Sequence, residues 1–499
     1  MSTADILQLG FDVLVFLAAV GIGRRRPWVP LIVFVWVAPY LGGNFIGAFY
    51  LPFSPARAIG FGIAVLAVTS RRVLPPDVEA LRRRVYVFLG ICVAAGIVGV
   101  CLVYFRANYI DQYLQTPLLR VMRTTGAEAE RWLLLIAPIT LAVREGLSRK
   151  LVLHAIYAGL FYCAMGLFQF GMEQAFNYDP FPIARESIGD SGPVSQSVIG
   201  SGLDTRINSL CGEPRYLSAY CCLWFLLTAA LGKRVGLTVT GRFLIAITFL
   251  LCSVFTGSRT SLLILLTSGV VGGLAAMFAR RMRLILPIFG TALLLALTFG
   301  TLIAMRVGSF GNRNNTSEKK DDSDTLLAVG SVRLPIEWQD VGGLSVMGRE
   351  PWQLVFGMGP GLWQYYENPW DHQFVRTYFS DAAQRGIDSV KPNIQLVTRL
   401  CDVGVVGLYA MAAVLIVLYR HGRAGTPRSL RGEYLVSFAV LAAMLQVPGM
   451  ADQLAFLMMG AAVQVYSELG AVSRKATDRM AARIWLKRPE YSPSPVGSV

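Results

Sequence analysis

The sequence predicts an all-α polytopic membrane protein of roughly 12 to 14 transmembrane helices, with a long extracytoplasmic loop containing short helices. Three observations predict it. The 499 residues are 54% hydrophobic and only 15% charged, where a soluble domain carries about 25% charged residues. Mean hydropathy is +0.52, and apolar runs of about 17 to 25 residues recur, each long enough to cross roughly 30 Å of hydrocarbon. The basic residues gather between those runs. A closed β-barrel is excluded, because its strands alternate apolar and polar positions.

The elements follow in order. Apolar runs at about 5–22, 28–48, 55–70 and 85–105 lie in an N-terminal part, 1–130. The runs 131–143, 151–170, 215–231, 242–256, 260–279 and 283–305 occupy 131–305, which includes a loop at 171–214. The run 131–143 is short for a span. Residues 306–393 form a long loop. Its start, GNRNNTSEKKDDSD, is polar and reads as mobile. Its remainder carries apolar and aromatic residues that predict short helices over the membrane surface. The runs 394–419, 433–448 and 453–468 lie in 394–470, and 471–499 is a basic tail. The first run lacks a basic leader and an A-x-A site and reads as a retained helix.

The formal net charge is +15. Its placement argues against nucleic acid. Basic clusters stand at 24–26, 71–72, 82–84, 148–150, 232–234, 279–283 and 420–423, at the ends of apolar runs. This is the positive-inside pattern. It predicts a cytoplasmic C-terminus and an outward N-terminus, with 171–214, the turn 256–259 and 306–393 on the outer face. Of eight cysteines, Cys92, Cys101, Cys163, Cys221, Cys222, Cys252 and Cys401 fall in apolar runs and read as small hydrophobes. Cys211 alone lies in a polar segment. No disulfide framework or metal-ligand spacing is visible, and no metal is expected.

Four constellations could carry chemistry. Arg259 is the only charged residue from Leu244 to Ala279. It reads either as a snorkelling arginine or as a guanidinium at the outer mouth of the bundle, where its fork suits phosphate. In RINSLCGEPRYLSAY, residues 206–220, Pro214 suits the first position of a helix. Glu213 is then its cap, and Arg206 and Arg215 add positive charge where helix N-termini attract anions. Glu213 is either a structural partner of those arginines or a general base. In 355–374, Gly357, Gly359 and Gly361 read as a tight turn rather than a phosphate cradle. Trp363, Tyr365, Tyr366 and Trp370 suit sugar faces or the membrane interface. His372 is the sole histidine predicted outside and the sole imidazole candidate for a base. Finally, Arg399 and Asp402 are three apart in a predicted helix. Either they pair with each other, or Arg399 faces the same cavity as Arg259.

Taken together, Arg206 before the GEPRY helix start, the SRTSLL turn, the loop holding Arg333 and GMGPG, and the PNIQLVTRLCDVGVVGL helix resemble the O-antigen polymerase and O-antigen ligase family of bacterial envelope glycosyltransferases. The resemblance spans roughly residues 150 to 450. It implies a bacterial cytoplasmic membrane location with the active site on the periplasmic side. It implies that a glycan on undecaprenyl pyrophosphate is the substrate and that undecaprenyl pyrophosphate leaves, with no cofactor. Arg206, Arg259, Arg215 and Arg399 are then the pyrophosphate-binding candidates. Glu213 and His372, in that order, are the candidates for the base. Trp363, Tyr365, Tyr366, Arg333 and Asn393 are glycan-binding candidates. Partners on this reading are the lipid-linked oligosaccharide, membrane lipid and, as a candidate, a chain-length-determining co-polymerase. Family ligases carry a histidine where this sequence has Lys391-Pro392-Asn393, which favours a polymerase over a ligase. A flippase or transporter is the alternative from another class; it calls for polar groups at mid-membrane and broken helices in paired positions.

Overall fold

The computed structural model describes residues 3–40, 44–46, 49–51, 55–70, 74–105, 116–141, 146–181, 183–184, 193–194, 207–212, 214–258, 260–279, 328–329, 332–333, 347, 351–365, 394–446 and 452–486. The helices are α1 (Thr3–Arg25), α2 (Trp28–Val37), α3 (Pro55–Thr69), α4 (Pro76–Phe105), α5 (Pro117–Thr140), α6 (Leu147–Phe176), α7 (Pro214–Leu231), α8 (Val239–Phe255), α9 (Thr260–Phe278), α10 (Pro351–Phe356), α11 (Gln395–Gly425), α12 (Arg431–Met444) and α13 (Asp452–Leu486). Four of them, α4, α6, α9 and α11, are long and apolar enough to cross a membrane. The chain is therefore an α-helical membrane protein.

Local chemistry sets several boundaries. Thr116 caps α5 by accepting from the Leu119 N–H, with Pro117 next in line. Thr238 caps α8 in the same way through Gly241 N–H. α6 ends on Asn177 in the left-handed region. α7 opens on Pro214, as expected of its missing N–H.

The run 28–48 departs from expectation. It is not one helix: α2 stops at Val37, and Asn44–Ile46 (β1) pairs antiparallel with Phe49–Leu51 (β2). Pro39 lacks the N–H that would continue the helix, and Gly42-Gly43 follow it. β1 also pairs with Ile183–Ala184 (β3), which pairs with Pro193–Val194 (β4). The short run 131–143 errs the other way. α5 starts at Pro117, so its first half is polar. The run 283–305 lies outside the described residues.

The helices form a bundle with two chemically distinct ends. At one end, His421 of α11 bonds Asp77 of α4 and approaches Gln464 of α13. Tyr466 of α13 donates to Glu433, which pairs with Arg234 between α7 and α8. That bond raises the Arg234 pKa above its usual value. Glu468 accepts from Gly146 N–H and Ser148 Oγ at the start of α6. The clusters 82–84, 148–150, 232–234 and 420–423 thus share one end.

The other end is organised around a break in α11. Gly404 sits at φ 62°, ψ −166° within the helix, a backbone region essentially reserved for glycine. A short segment, α10 and the turn after it, fills the notch. Its Met358 and Gly359 N–H groups donate to the Cys401 and Asp402 carbonyls at 2.8 and 3.0 Å. Its other face lies on α4 at Gly96 and Gly99, where a Cβ on Gly99 would strike the Met358 carbonyl. A Cβ on Gly404 would strike Val355. Gly404→Ala is therefore expected to cost at least about 3 kcal/mol through combined strain and clash. Gly171→Ala, on an open face of α6, gains helix propensity and should be neutral or stabilising. Apparent melting temperatures in detergent check both; equal melting of the two variants contradicts the broken-helix geometry.

Candidate functional site

The buried end of α11 holds Arg399, which is 1% exposed. A charge so placed must be met by fixed partners, because water cannot reach it. Its Nη1 donates to the Leu445 carbonyl at 3.1 Å and to Gln446 Oε1 at 3.0 Å, both just after α12. Its Nε lies 3.8 Å from Glu128 Oε1 on α5. The guanidinium carbon stands 5.8 Å from the Trp132 ring centroid and 5.4 Å from that of Phe456, within cation–π range. Nη2 has no hydrogen-bond partner among the described residues.

Glu128 is the hub of the same cluster. It accepts from Arg131 Nη1 at 2.6 Å, Trp132 Nε1 at 3.0 Å and Gln395 Nε2 at 3.3 Å. Two residues on, Glu130 is 2% exposed and accepts from Gln453 Nε2 at 2.8 Å. Asp402 is also buried and accepts the Gly361 N–H at 2.8 Å. Four helices and the α10 segment therefore converge on one ionic centre.

This corrects one expected pairing. Arg399 and Asp402 do not bond each other. Sequence spacing placed them on one face, but each is held by a tertiary partner, Glu128 and Gly361 respectively. The glycine-rich segment is a tight turn, as expected: Gly357, Gly359 and Gly361 all have positive φ. Its aromatics are corrected. Trp363 and Tyr365 are 1% and 3% exposed. They pack with Val103, Val121, Met358, Leu362 and Cys401, so neither offers a face to a sugar in this structure. Arg215 is exposed in the first turn of α7, with its guanidinium 5.5 Å from the Tyr216 ring centroid. Arg333 belongs to Val332–Arg333 (β6), which pairs with Ala328–Val329 (β5).

Arg206, Glu213, Arg259, Tyr366, His372 and Asn393 lie outside the described residues. The segments beside the first and third of these do meet. Ile207 N–H donates to the Phe255 carbonyl at 3.3 Å, which ties the strand of chain after Arg206 to the end of α8 before Arg259. The junction is held by several buried hydrogen bonds. Asn208 is fully buried; its N–H donates to Gln169 Oε1 and its amide to the Gly212 carbonyl. Ser209 N–H shares Gln169 Oε1, and Gln169 Nε2 also reaches Asp179. On the far side of the turn, Thr260 N–H donates to Ser258 Oγ and Ser261 Oγ to the Ser258 carbonyl.

Sequence reasoning missed Glu128 and Glu130. They precede the apolar run of α5, so no hydropathy window marks them. The only hint was the Glu128–Trp132 spacing of four, which shares a helix face. Comparison with protein-family models and with curated proteins returned no match to the chain.

Removing one partner of a buried ion pair strands the other. Glu128→Ala is expected to destabilise by about 3–5 kcal/mol, and Glu128→Gln by less, because an acceptor remains. Combining Glu128→Leu with Arg399→Met should cost less than the sum of the two single changes. Unfolding of the purified variants in detergent measures the cycle; strict additivity contradicts the pairing.

Proposed function

We propose that the chain polymerises glycan repeat units carried on undecaprenyl pyrophosphate, on the outer face of a bacterial cytoplasmic membrane. The observation that carries this reading is the Ile207–Phe255 junction. It draws together the two segments that bear Arg206 and Arg259, at the bundle end opposite the basic clusters. Positive groups fixed in a water-poor setting stabilise charge that develops on a leaving pyrophosphate, because they need no reorganisation.

The reaction balances as a substitution. An acceptor hydroxyl oxygen forms a bond to the anomeric carbon of the lipid-linked glycan. The bond from that carbon to the pyrophosphate oxygen breaks, and undecaprenyl pyrophosphate leaves with the electron pair. The hydroxyl proton passes to a base, for which Glu213 and then His372 are the candidates. Arg206, Arg259 and the exposed Arg215 meet the pyrophosphate. Arg399, already bonded to Gln446 and beside Glu128, holds the α11–α12 wall of the site and offers its spare Nη2.

A second reading has an observation in its favour. A helix broken at Gly404 next to buried Arg399, Glu128 and Asp402 is the kind of element transporters use to bind substrate. One experiment separates the two. In cells lacking the protein, single repeat units stalled on the outer face are expected for a polymerase. Long chains left on undecaprenyl pyrophosphate indicate a ligase, and repeat units trapped on the cytoplasmic face indicate a flippase. Arg259→Ala should abolish polymer at normal protein level, and Arg259→Lys should recover little, because a single ammonium cannot replace the guanidinium fork. Wild-type polymer from Arg259→Ala overturns the pyrophosphate role.

A further inference from the structure

Three cysteines far apart in sequence meet inside the bundle. Cys163 of α6, Cys221 of α7 and Cys252 of α8 are each fully buried. Cys163 and Cys221 Sγ are 3.7 Å apart, and all three sulfurs lie within 4.8 Å of one another. A fourth, Cys211 in the 207–212 turn, is fully buried within electrostatic reach of Cys163 and Cys252. Aromatic rings pack the walls. Trp224, on α7 beside Cys221, stacks between Tyr162 and Tyr220 and tilts against Phe249.

We propose that Cys163, Cys221 and Cys252 form a three-sulfur site for a copper(I) ion. Geometry is the first reason. Three sulfurs each about 2.3 Å from one ion lie about 4 Å apart; here one pair is 3.7 Å apart and all three lie within 4.8 Å, so small side-chain adjustments suffice. Ligand chemistry is the second. An all-sulfur set selects soft ions, copper(I) and zinc foremost. Coordination number separates those two. Zinc takes four ligands in structural sites, whereas three sulfurs lie within 4.8 Å of one another here and Cys211 is not among them. Each sulfur that binds the ion does so as a thiolate, its thiol proton passing to solvent. No electron is transferred. The ion would pin α6, α7 and α8 together one turn or more from the Asn208–Gln169 junction. It would therefore act on the framework of the outer end rather than on the substrate. The site shares no residue with the proposed glycan-transfer machinery, so either reading can fail without the other.

The test uses the full chain, purified in detergent, reduced and without oxygen. Copper(I) is titrated against the chromophoric chelator bicinchoninate. One equivalent is expected to stay with the protein, and copper-edge X-ray absorption should show three sulfur neighbours at about 2.3 Å. Cys163→Ala, Cys221→Ala and Cys252→Ala should each weaken retention by at least about 100-fold, and Cys101→Ala, at an exposed position, should not. Copper(I) should raise the melting temperature of the wild type and of Cys101→Ala but not of Cys221→Ala. No copper held against the chelator, unchanged retention in Cys221→Ala, or a zinc ion held in preference overturns the proposal. If the alanine variants fail to fold, the sulfur count from absorption on the wild-type protein decides alone.

Discussion

A guanidinium buried in a membrane protein constrains everything near it. Arg399 is tolerated at 1% exposure because acceptors and aromatic faces surround it. Glu128 must come from α5, Gln446 and the Leu445 carbonyl from the end of α12, and the rings of Trp132 and Phe456 from α5 and α13. Those four helices are consequently fixed in mutual register. The polar first half of α5 follows from this, since a helix begun at the apolar run would miss Glu128 entirely. The break in α11 belongs to the same arrangement. Gly404 lets the backbone turn aside, and the freed carbonyls of Cys401 and Asp402 are taken up by the N–H groups of the glycine-rich turn. Unpaired backbone groups at this depth would otherwise be costly.

The two bundle ends divide the chemistry between them. One holds part-buried pairs, Asp77 with His421 and Glu433 with Arg234, amid arginine clusters. Clusters of positive charge at one end of a bundle bias insertion. The opposite end holds few pairs but buried ones, together with the packed turns at 207–212 and 256–261. The described charges Arg399, Glu128 and Asp402 there are buried and held by fixed partners.

Much of the helical frame was legible in the sequence. Pro214 at the start of α7, the helix beginning at 260 and a run at 394–419 follow from hydropathy and breakers, and the structure extends the last of these to Gly425. Misreadings have one cause: hydropathy records composition along the chain and is blind to partners across it. The run 28–48 looked continuous because Pro39, Gly42 and Gly43 are themselves apolar enough to pass a window. Trp363 and Tyr365 read as sugar-facing or interfacial because aromatic rings suit a sugar, an interface or a core alike, and packing against Val103 and Val121 distinguishes them. The three clustered cysteines read as scattered hydrophobes, since each sits on a different helix and no spacing rule links 163, 221 and 252. Arg399 and Asp402 looked like a pair because local spacing is visible and Glu128, 271 positions earlier, is not.

Charge counting sharpens what Arg399 can do. Around it stand Arg131 and Arg120, the latter lying against Gly361. Opposite them are Glu128 and Asp402; Glu130 lies on the α3 side of α5, near Arg57. The two carboxylates offset most of the charge at the centre. A doubly charged pyrophosphate could not settle there without displacing Glu128, and stranding a buried carboxylate would cancel most of the gain. The junction at Ile207 is differently composed. The sequence supplies Arg206, Arg215 and Arg259 there against Asp179, Asp204 and Glu213, so formal charge alone does not favour an anion. On the proposed reading, the guanidinium fork is what draws a pyrophosphate to this end. Arg399 braces the α11–α12 wall through Leu445 and Gln446, and its Nη2 is uncommitted among the described residues.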